Sequence, residues 1–323
     1  MRFRLTDDQR ALRAGARELL ARRFGPEALR AAANATTGPV PGSVPGPGTG
    51  VPRLDRRLWR ELGTAGFFAL RLPEADGGAG LGLPEAVLMF EEAGRALLPG
   101  PLIATHLAAG EVPGAADGKT VVTAVDSSGL VEWLAEADTV RGDATGAVAL
   151  RSVDPLTPLH RVPAPRVPAT PVPATPVPAT PVPSSPPDPL AVLLTAAEQL
   201  GTAGRCCELA VQHARAREQF GQPIGAFQAV KHLCADMLVR TEPARAAVYA
   251  AAVTADPADI AAARLLADEA ALQGARDCLQ VHGGMGFTWE SEVHLHLKRA
   301  WVRASRGGTA AECAETLAAG LLA

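Results

Sequence analysis

From Leu190 to Ala323, apolar residues recur at helical spacing almost without interruption, through segments 190–216, 225–253, 256–281 and 290–304 and a last stretch beyond Thr309. The connections between them are short. Successive segments must therefore run in opposite directions, and an antiparallel four-helix bundle is the expected packing. Asp256-Pro257 has the form of an N-cap with proline at the first helical position, and Gly283 that of a C-terminal stop. Pro243 falls inside the second segment and predicts a kink. Aromatic residues make up 4% of the chain against a hydrophobic share of 47%, so alanine and leucine carry the packing, which favours close helices over a large sheet.

The first half is also helical, with interruptions. Thr6 and Gln9 form a capping-box pattern before a helix that ends near Phe24-Gly25, and residues 34–52, rich in Gly, Pro, Ser and Thr, read as a long surface loop. A second helix starts near Leu54 and stops at Gly66. Phe67–Leu72 then reads as strand-like, the glycine-rich run from Pro73 to Gly82 as irregular, and Leu83–Leu98 as helix closed by Pro99-Gly-Pro101. Between residues 110 and 162 the pattern changes to short β-prone runs, Thr120–Val125 and Ala147–Leu150. Residues 163–187 repeat Val-Pro-Ala-Thr-Pro, where missing amide donors and fixed φ predict a polyproline-II or disordered linker. The expected organisation is mainly α: a helical part over 1–109, a reduced β region over 110–162, the linker, and the bundle over 188–323.

Composition excludes several classes of partner. A net charge of −3 without a clustered basic stretch predicts neither nucleic-acid nor anionic-membrane binding. The start of the chain enters a charged amphipathic pattern with no apolar leader, and no run of about 18 apolar residues occurs, so a cytoplasmic location is expected. Five cysteines follow neither a metal-site nor a disulfide spacing and read as reduced thiols. His282, His294 and His296 do not suggest a metal site, because His-x-His on a helix sends the two rings to different faces. Glu91-Glu92 read as a solvated helix face, and Trp289 and Trp301 as packing residues.

Two clusters carry the functional signal. Arg217-Glu-Gln-Phe-Gly-Gln-Pro-Ile224, followed by Phe227-Gln228, ends one long helix, and Gln280-Val-His-Gly-Gly284 ends another. Each has an ordinary reading, a cation compensating a helix C-terminus in one case and a helix stop in the other. Glycines at a helix end also let a ligand approach the backbone, and an arginine fork suits a pyrophosphate.

In order and spacing the two clusters resemble the C-terminal bundle of acyl-CoA dehydrogenases. Leu5–Gln9, Leu58–Leu62, Leu72–Gly78 and Glu91–Arg95 resemble that family's N-terminal helical domain. The resemblance implies FAD as cofactor. It also implies that Arg217, Gln219, Phe220, Gln228, Gln280, Val281, His282, Gly283 and Gly284 hold the ADP part of a flavin shared across a subunit interface.

Three departures qualify it. The middle region is too short for the family's β-barrel and lacks its flavin-ring motif. Gly307 stands where the family commonly has the glutamate that removes the α-proton, and Ala191 stands at the alternative base position. Ala311 replaces a common flavin-contacting glutamine. No catalytic residue is therefore expected in this chain. Within the family it resembles the smaller, non-catalytic partner of actinobacterial α2β2 enzymes acting on steroid side-chain CoA thioesters. That likeness implies a larger homologue as partner, which supplies the glutamate, the flavin-ring pocket and most of the acyl-CoA site, with electron-transfer flavoprotein as acceptor. A self-sufficient enzyme with an unrecognised base, or a flavin-free interaction protein reusing the fold, are the alternatives.

Overall fold

The computed structural model describes residues 4–34, 52–163 and 186–321, so the loop expected over 34–52 and the proline linker lie almost wholly outside the described residues. Helix α1 (Asp7–Arg23) starts at the expected capping box: Thr6 Oγ1 accepts from Gln9 N–H, and Thr6 N–H donates to the Gln9 side chain. Three further helices, α2 (Pro26–Asn34), α3 (Arg56–Thr64) and α4 (Leu83–Arg95), complete most of the N-terminal part, and α5 (Leu102–Leu107) follows Pro101. The short helices α2 and α5 were not legible in the sequence. Nor is Phe67–Leu72 a strand. Its backbone turns on itself, Phe67 N–H donating to Leu62 O and Ala69 N–H to Gly66 O, because Phe67, Phe68 and Leu70 all go into the helical core, which alternation along a strand would not allow. The glycine-rich run after it contains one 3-10 turn, Glu74–Asp76.

The β region holds a parallel pair, β1 (Val122–Ala124) with β3 (Thr139–Arg141). Beside it is a three-stranded antiparallel sheet in the order β2 (Leu130–Glu132), β5 (Leu159–Arg161), β4 (Val148–Leu150). Strands of three residues cannot bury much on their own, and this region is held by what packs against it.

The C-terminal part consists of α6 (Pro189–Ala216), α7 (Gln228–Thr254), α8 (Pro257–His282), α9 (Val293–Ala304) and α10 (Ala310–Leu321), with a minimal hairpin, β6 (Glu218–Gln219) and β7 (Gln222–Pro223), between the first two. Asp256 caps α8 through Ala258 and Asp259 N–H, as expected. Helix α7 runs from Gln228 to Thr254 with Pro243 inside it. Alanines dominate where α6, α7 and α8 meet, among them Ala196, Ala244, Ala263 and Ala271. Among the described residues no helix is long and apolar enough to cross a membrane.

Helix α4 packs against α1, α6 and α7, which overturns the solvated reading of Glu91 and Glu92. Both are buried. Glu91 accepts from Tyr249 Oη at 2.6 Å and from Arg245, while Glu92 accepts from Arg17 Nε at 2.8 Å and Nη2 at 2.6 Å. All of these partners lie far away in sequence. Where α4 crosses α6 the backbones nearly touch: a Cβ on Gly201 would sit 1.9 Å from Glu91 O, and one on Gly94 would sit 2.1 Å from Glu198 O. Gly201→Ala should therefore destabilise the chain by about 2 kcal/mol or more, since overpacking of this kind exceeds the roughly 1 kcal/mol of helix propensity gained. A denaturant midpoint equal to or above that of the native sequence would show that the crossing can open.

Candidate functional site

The two sequence clusters meet at one end of the bundle. Arg217 caps α6, its N–H donating to His213 O at 2.8 Å, and Ile224 N–H returns to Arg217 O at 2.8 Å to close the β6–β7 loop. At the loop tip Phe220 and Gly221 take positive φ of 55° and 77°, which leaves Phe220 92% exposed with its edge towards Phe227. Gln228 opens α7. Helix α8 arrives alongside and stops at Gly283, φ 60°, before a 3-10 turn over Gly283–Phe287.

The link between the clusters is a residue that the sequence reading passed over. His213 stacks on His282 with ring centroids 4.1 Å apart and 21° between planes. His213 lies one turn before Arg217 on the same helix face, and that spacing was the available signal. Burial, then His282 and Arg217, hold the His213 imidazole below its usual range. For His282 burial acts the same way but is outweighed by Cys278, whose carbonyl meets His282 Nδ1 at 2.8 Å and whose thiol lies 3.7 Å from it. His282 is left more basic than usual.

Arg217, Gln219, Gln228, Gln280, Gly283 and Gly284 are all exposed, and no atom lies within 4 Å of a Cβ built on either glycine. Val281 is the exception, its side chain turned into the core beside Leu279. The result is a one-sided surface: a guanidinium, amide side chains and bare backbone, open outward.

A second feature lies between α5, the β region, α6 and α9, where a cavity of about 310 Å³ opens. Gly307 and Ala191, the two positions where a base was missed in the sequence, both line it. Its upper wall is apolar, with Leu102, Ile103 and Val192. Its floor is ionic. Arg299, Arg303 and Arg306 project from α9 and its end, each to a carboxylate on another element: Arg299 to buried Asp154, Arg303 Nε to Glu198 at 3.0 Å, and Arg306 to Asp126 at 3.2 Å and Glu132 at 2.6 Å. Burial raises the Glu198 carboxyl above its usual range against the pull of Arg303, and burial lowers Arg303 to about 10. Burial opposes the charge on Arg306 as well, but Glu132 and Asp126 outweigh it.

The turn after α9 is pinned from both sides. Gly307 N–H donates to Asp126 at 3.3 Å, Gly307 O accepts from Arg264 at 3.2 Å, and Gly308, φ 76°, has Val192 where its Cβ would be. Ala311 is exposed on α10.

Of the four tryptophans, Trp59 and Trp133 are core, whereas Trp289 and Trp301 are not. Trp289 and Trp301 are 38% and 41% exposed, Trp289 in a T-shaped contact with His294 and with the Lys298 ammonium over its ring. The cysteines are free, and among the described residues no three His, Cys, Asp or Glu side chains gather as a metal site.

Two family signatures match the chain: "Acyl-CoA dehydrogenase, N-terminal domain" over residues 6–117 and "Acyl-CoA dehydrogenase, C-terminal domain" over residues 192–322. Among curated proteins, acyl-CoA dehydrogenase IpdE2 of Mycobacterium tuberculosis is 37% identical over 304 residues, covering 91% of each chain. Among solved structures, the ChsE4-ChsE5 complex from Mycobacterium tuberculosis superposes with a TM-score of 0.77 at 22% identity, covering 100% of this chain and 99% of that one. A variant of the Tcur3481-Tcur3483 steroid ACAD does so with a TM-score of 0.75 at 22% identity, covering 98% and 99%.

Proposed function

The chain belongs to the acyl-CoA dehydrogenase family, and from that premise we propose that it is the non-catalytic subunit of a heteromeric, FAD-dependent enzyme that desaturates an acyl-CoA thioester. One observation carries the proposal. Gly307 and Ala191 line the same cavity, and the carboxylates on its floor, buried Glu198 and part-buried Asp126 and Glu132, are held by Arg303 and Arg306. Glycine and alanine accept no proton, and each of these carboxylates is already engaged by a guanidinium of this chain. The α-proton is then removed by a glutamate of a larger homologous chain. The two solved neighbours are themselves two-component complexes by name, one of them a steroid ACAD, which favours a steroid-derived acyl group.

The bundle end fits the diphosphate and adenosine of FAD as half a site. Arg217 can give a forked pair of charge-assisted hydrogen bonds to a phosphate, the open faces of Gly283 and Gly284 admit close backbone approach, and the outward exposure of the whole surface leaves the other half to a neighbouring subunit. Bound flavin would supply the hydride acceptor, re-oxidised by an electron-transfer flavoprotein. This chain's contribution is binding and orientation.

Flavin content tests the assignment directly. Co-purified with the larger homologue, the complex should carry FAD while this chain alone carries none. Arg217→Ala in the complex should reduce bound FAD after gel filtration by about tenfold, as for a lost charge-assisted contact, while leaving assembly intact. Unchanged flavin content would return Arg217 to helix-end compensation.

Glu198 favours a second reading, a self-sufficient enzyme. It lies two turns beyond Ala191 on the same face of α6, lines the cavity, and is made more basic by burial. Glu198→Gln separates the two, abolishing turnover only if Glu198 is the base.

A further inference from the structure

A second cavity, of about 270 Å³, shares no lining residue with the first. It lies at the corner between α1 and α2, against α4, α6 and the start of α9. One wall is apolar, made by Leu20, Phe24 and Leu29. The lining also carries Arg17, Arg95 and Arg205, each on a carboxylate: Arg17 on Glu92, Arg95 on Glu208, and Arg205 Nη2 on Glu292 at 2.6 Å.

These pairs do not exhaust the donors. A guanidinium has five N–H groups, and among the described residues Arg205 makes one side-chain hydrogen bond, to Glu292, with its Nη1 4.0 Å from Glu208, while Arg17 spends Nε and Nη2. His296 lines the same cavity. It is 1% exposed, its Nδ1 is buried without a hydrogen-bond partner among the described residues, and no partner is found for its other ring nitrogen. A buried imidazole left unsatisfied costs stability unless something in the cavity completes it.

We infer that this cavity is a binding site for a small organic carboxylate, whose apolar end lies on Leu20, Phe24 and Leu29 and whose carboxylate takes the spare N–H groups of Arg205 and Arg17 beside His296. The donor excess selects an acceptor-only anion over an amine, and the apolar wall selects an alkyl or aryl carboxylate over inorganic anions. The three arginines are balanced by Glu92, Glu208 and Glu292, so the cavity has no net charge to attract anions at large. Recognition must come from hydrogen bonds at short range.

Hexanoate is a suitable probe, with hexanol and hexylamine as isosteric controls, titrated into the full-length chain while the imidazole ¹⁵N signals are recorded. The His296 signals are assigned with His296→Asn. Hexanoate should bind saturably, shift the His296 signals, and bind about tenfold or more tighter than either control, as for loss of one charge-assisted contact. Ala21→Trp, on the exposed rim of the cavity, should plug it without replacing a buried side chain and remove both effects. Arg205→Gln should weaken hexanoate by about tenfold and leave hexanol unchanged. Equal affinity for hexanoate and hexanol, or hexanoate binding that survives Ala21→Trp, would overturn the proposal.

Discussion

Arg299→Met is expected to destabilise the chain by about 3–5 kcal/mol, the usual cost of leaving one partner of a buried ion pair behind. Arg299 and Asp154 are both buried, and the guanidinium also donates to Leu98 O at 3.2 Å and Leu156 O at 3.4 Å. One side chain from α9 thus ties down the end of the N-terminal helical part and the last loop of the β region. That region, built of three-residue strands, is also held by Arg306 on Asp126 and Glu132 and by Arg56 on Asp138. Asp154 would retain Leu156 N–H and Thr157 Oγ1 as donors, which offsets part of the loss and favours the lower end of the range. Urea denaturation of the single variant and of Arg299→Met/Asp154→Asn measures it. The double variant should recover stability, because no charge is then stranded. A single variant within about 1 kcal/mol of the native chain would mean that packing and the remaining ion pairs hold the β region without Arg299.

What the sequence disclosed and what it hid have separate physical causes. Helices α6 to α10 were legible because each carries its own run of apolar residues at helical spacing, and α8 is also marked by its caps, Asp256 and Gly283. Phe67–Leu72 was misread because aromatic residues favour strands in isolation, whereas here Phe67 packs on Phe68 and Phe90 inside a helical core. Glu91 and Glu92 were misread for a different reason: their partners Arg245 and Arg17 lie 154 and 75 residues away, and no local pattern reports such pairing. At the cavity, the missing bases at Gly307 and Ala191 were visible only through family resemblance. The arginines opposite them were visible in principle. Arg299, Arg303 and Arg306 recur at helical spacing along a segment whose neighbours Leu295, Leu297, Ala300 and Val302 are apolar, and a charged stripe on a helix that is otherwise buried implies buried carboxylates to meet it. Their partners could not have been named.

The largest catalytic effect is expected outside this chain. If the larger subunit alone removes the α-proton, replacing its glutamate by glutamine should lower turnover of the complex by about 10² to 10⁴, the range attached to general-base catalysis. Gly307→Glu in this chain should restore none of it. A side chain there would meet Ser127 Oγ at 3.1 Å and Asp126 Cβ at 3.3 Å, within reach of Arg306 and beside a second carboxylate. An added carboxylate would join that ionic floor, not stand free to take a proton. The same division of labour fixes the cofactor count: two flavins and two working sites in each α2β2 tetramer, read from flavin absorbance against protein concentration and from single-turnover amplitude. Recovery of activity by Gly307→Glu, four flavins per tetramer, or dehydrogenation by this chain in isolation would each place a working site here. The base would then have to be sought first at Glu198, the buried carboxyl nearest in register to the vacated position on α6.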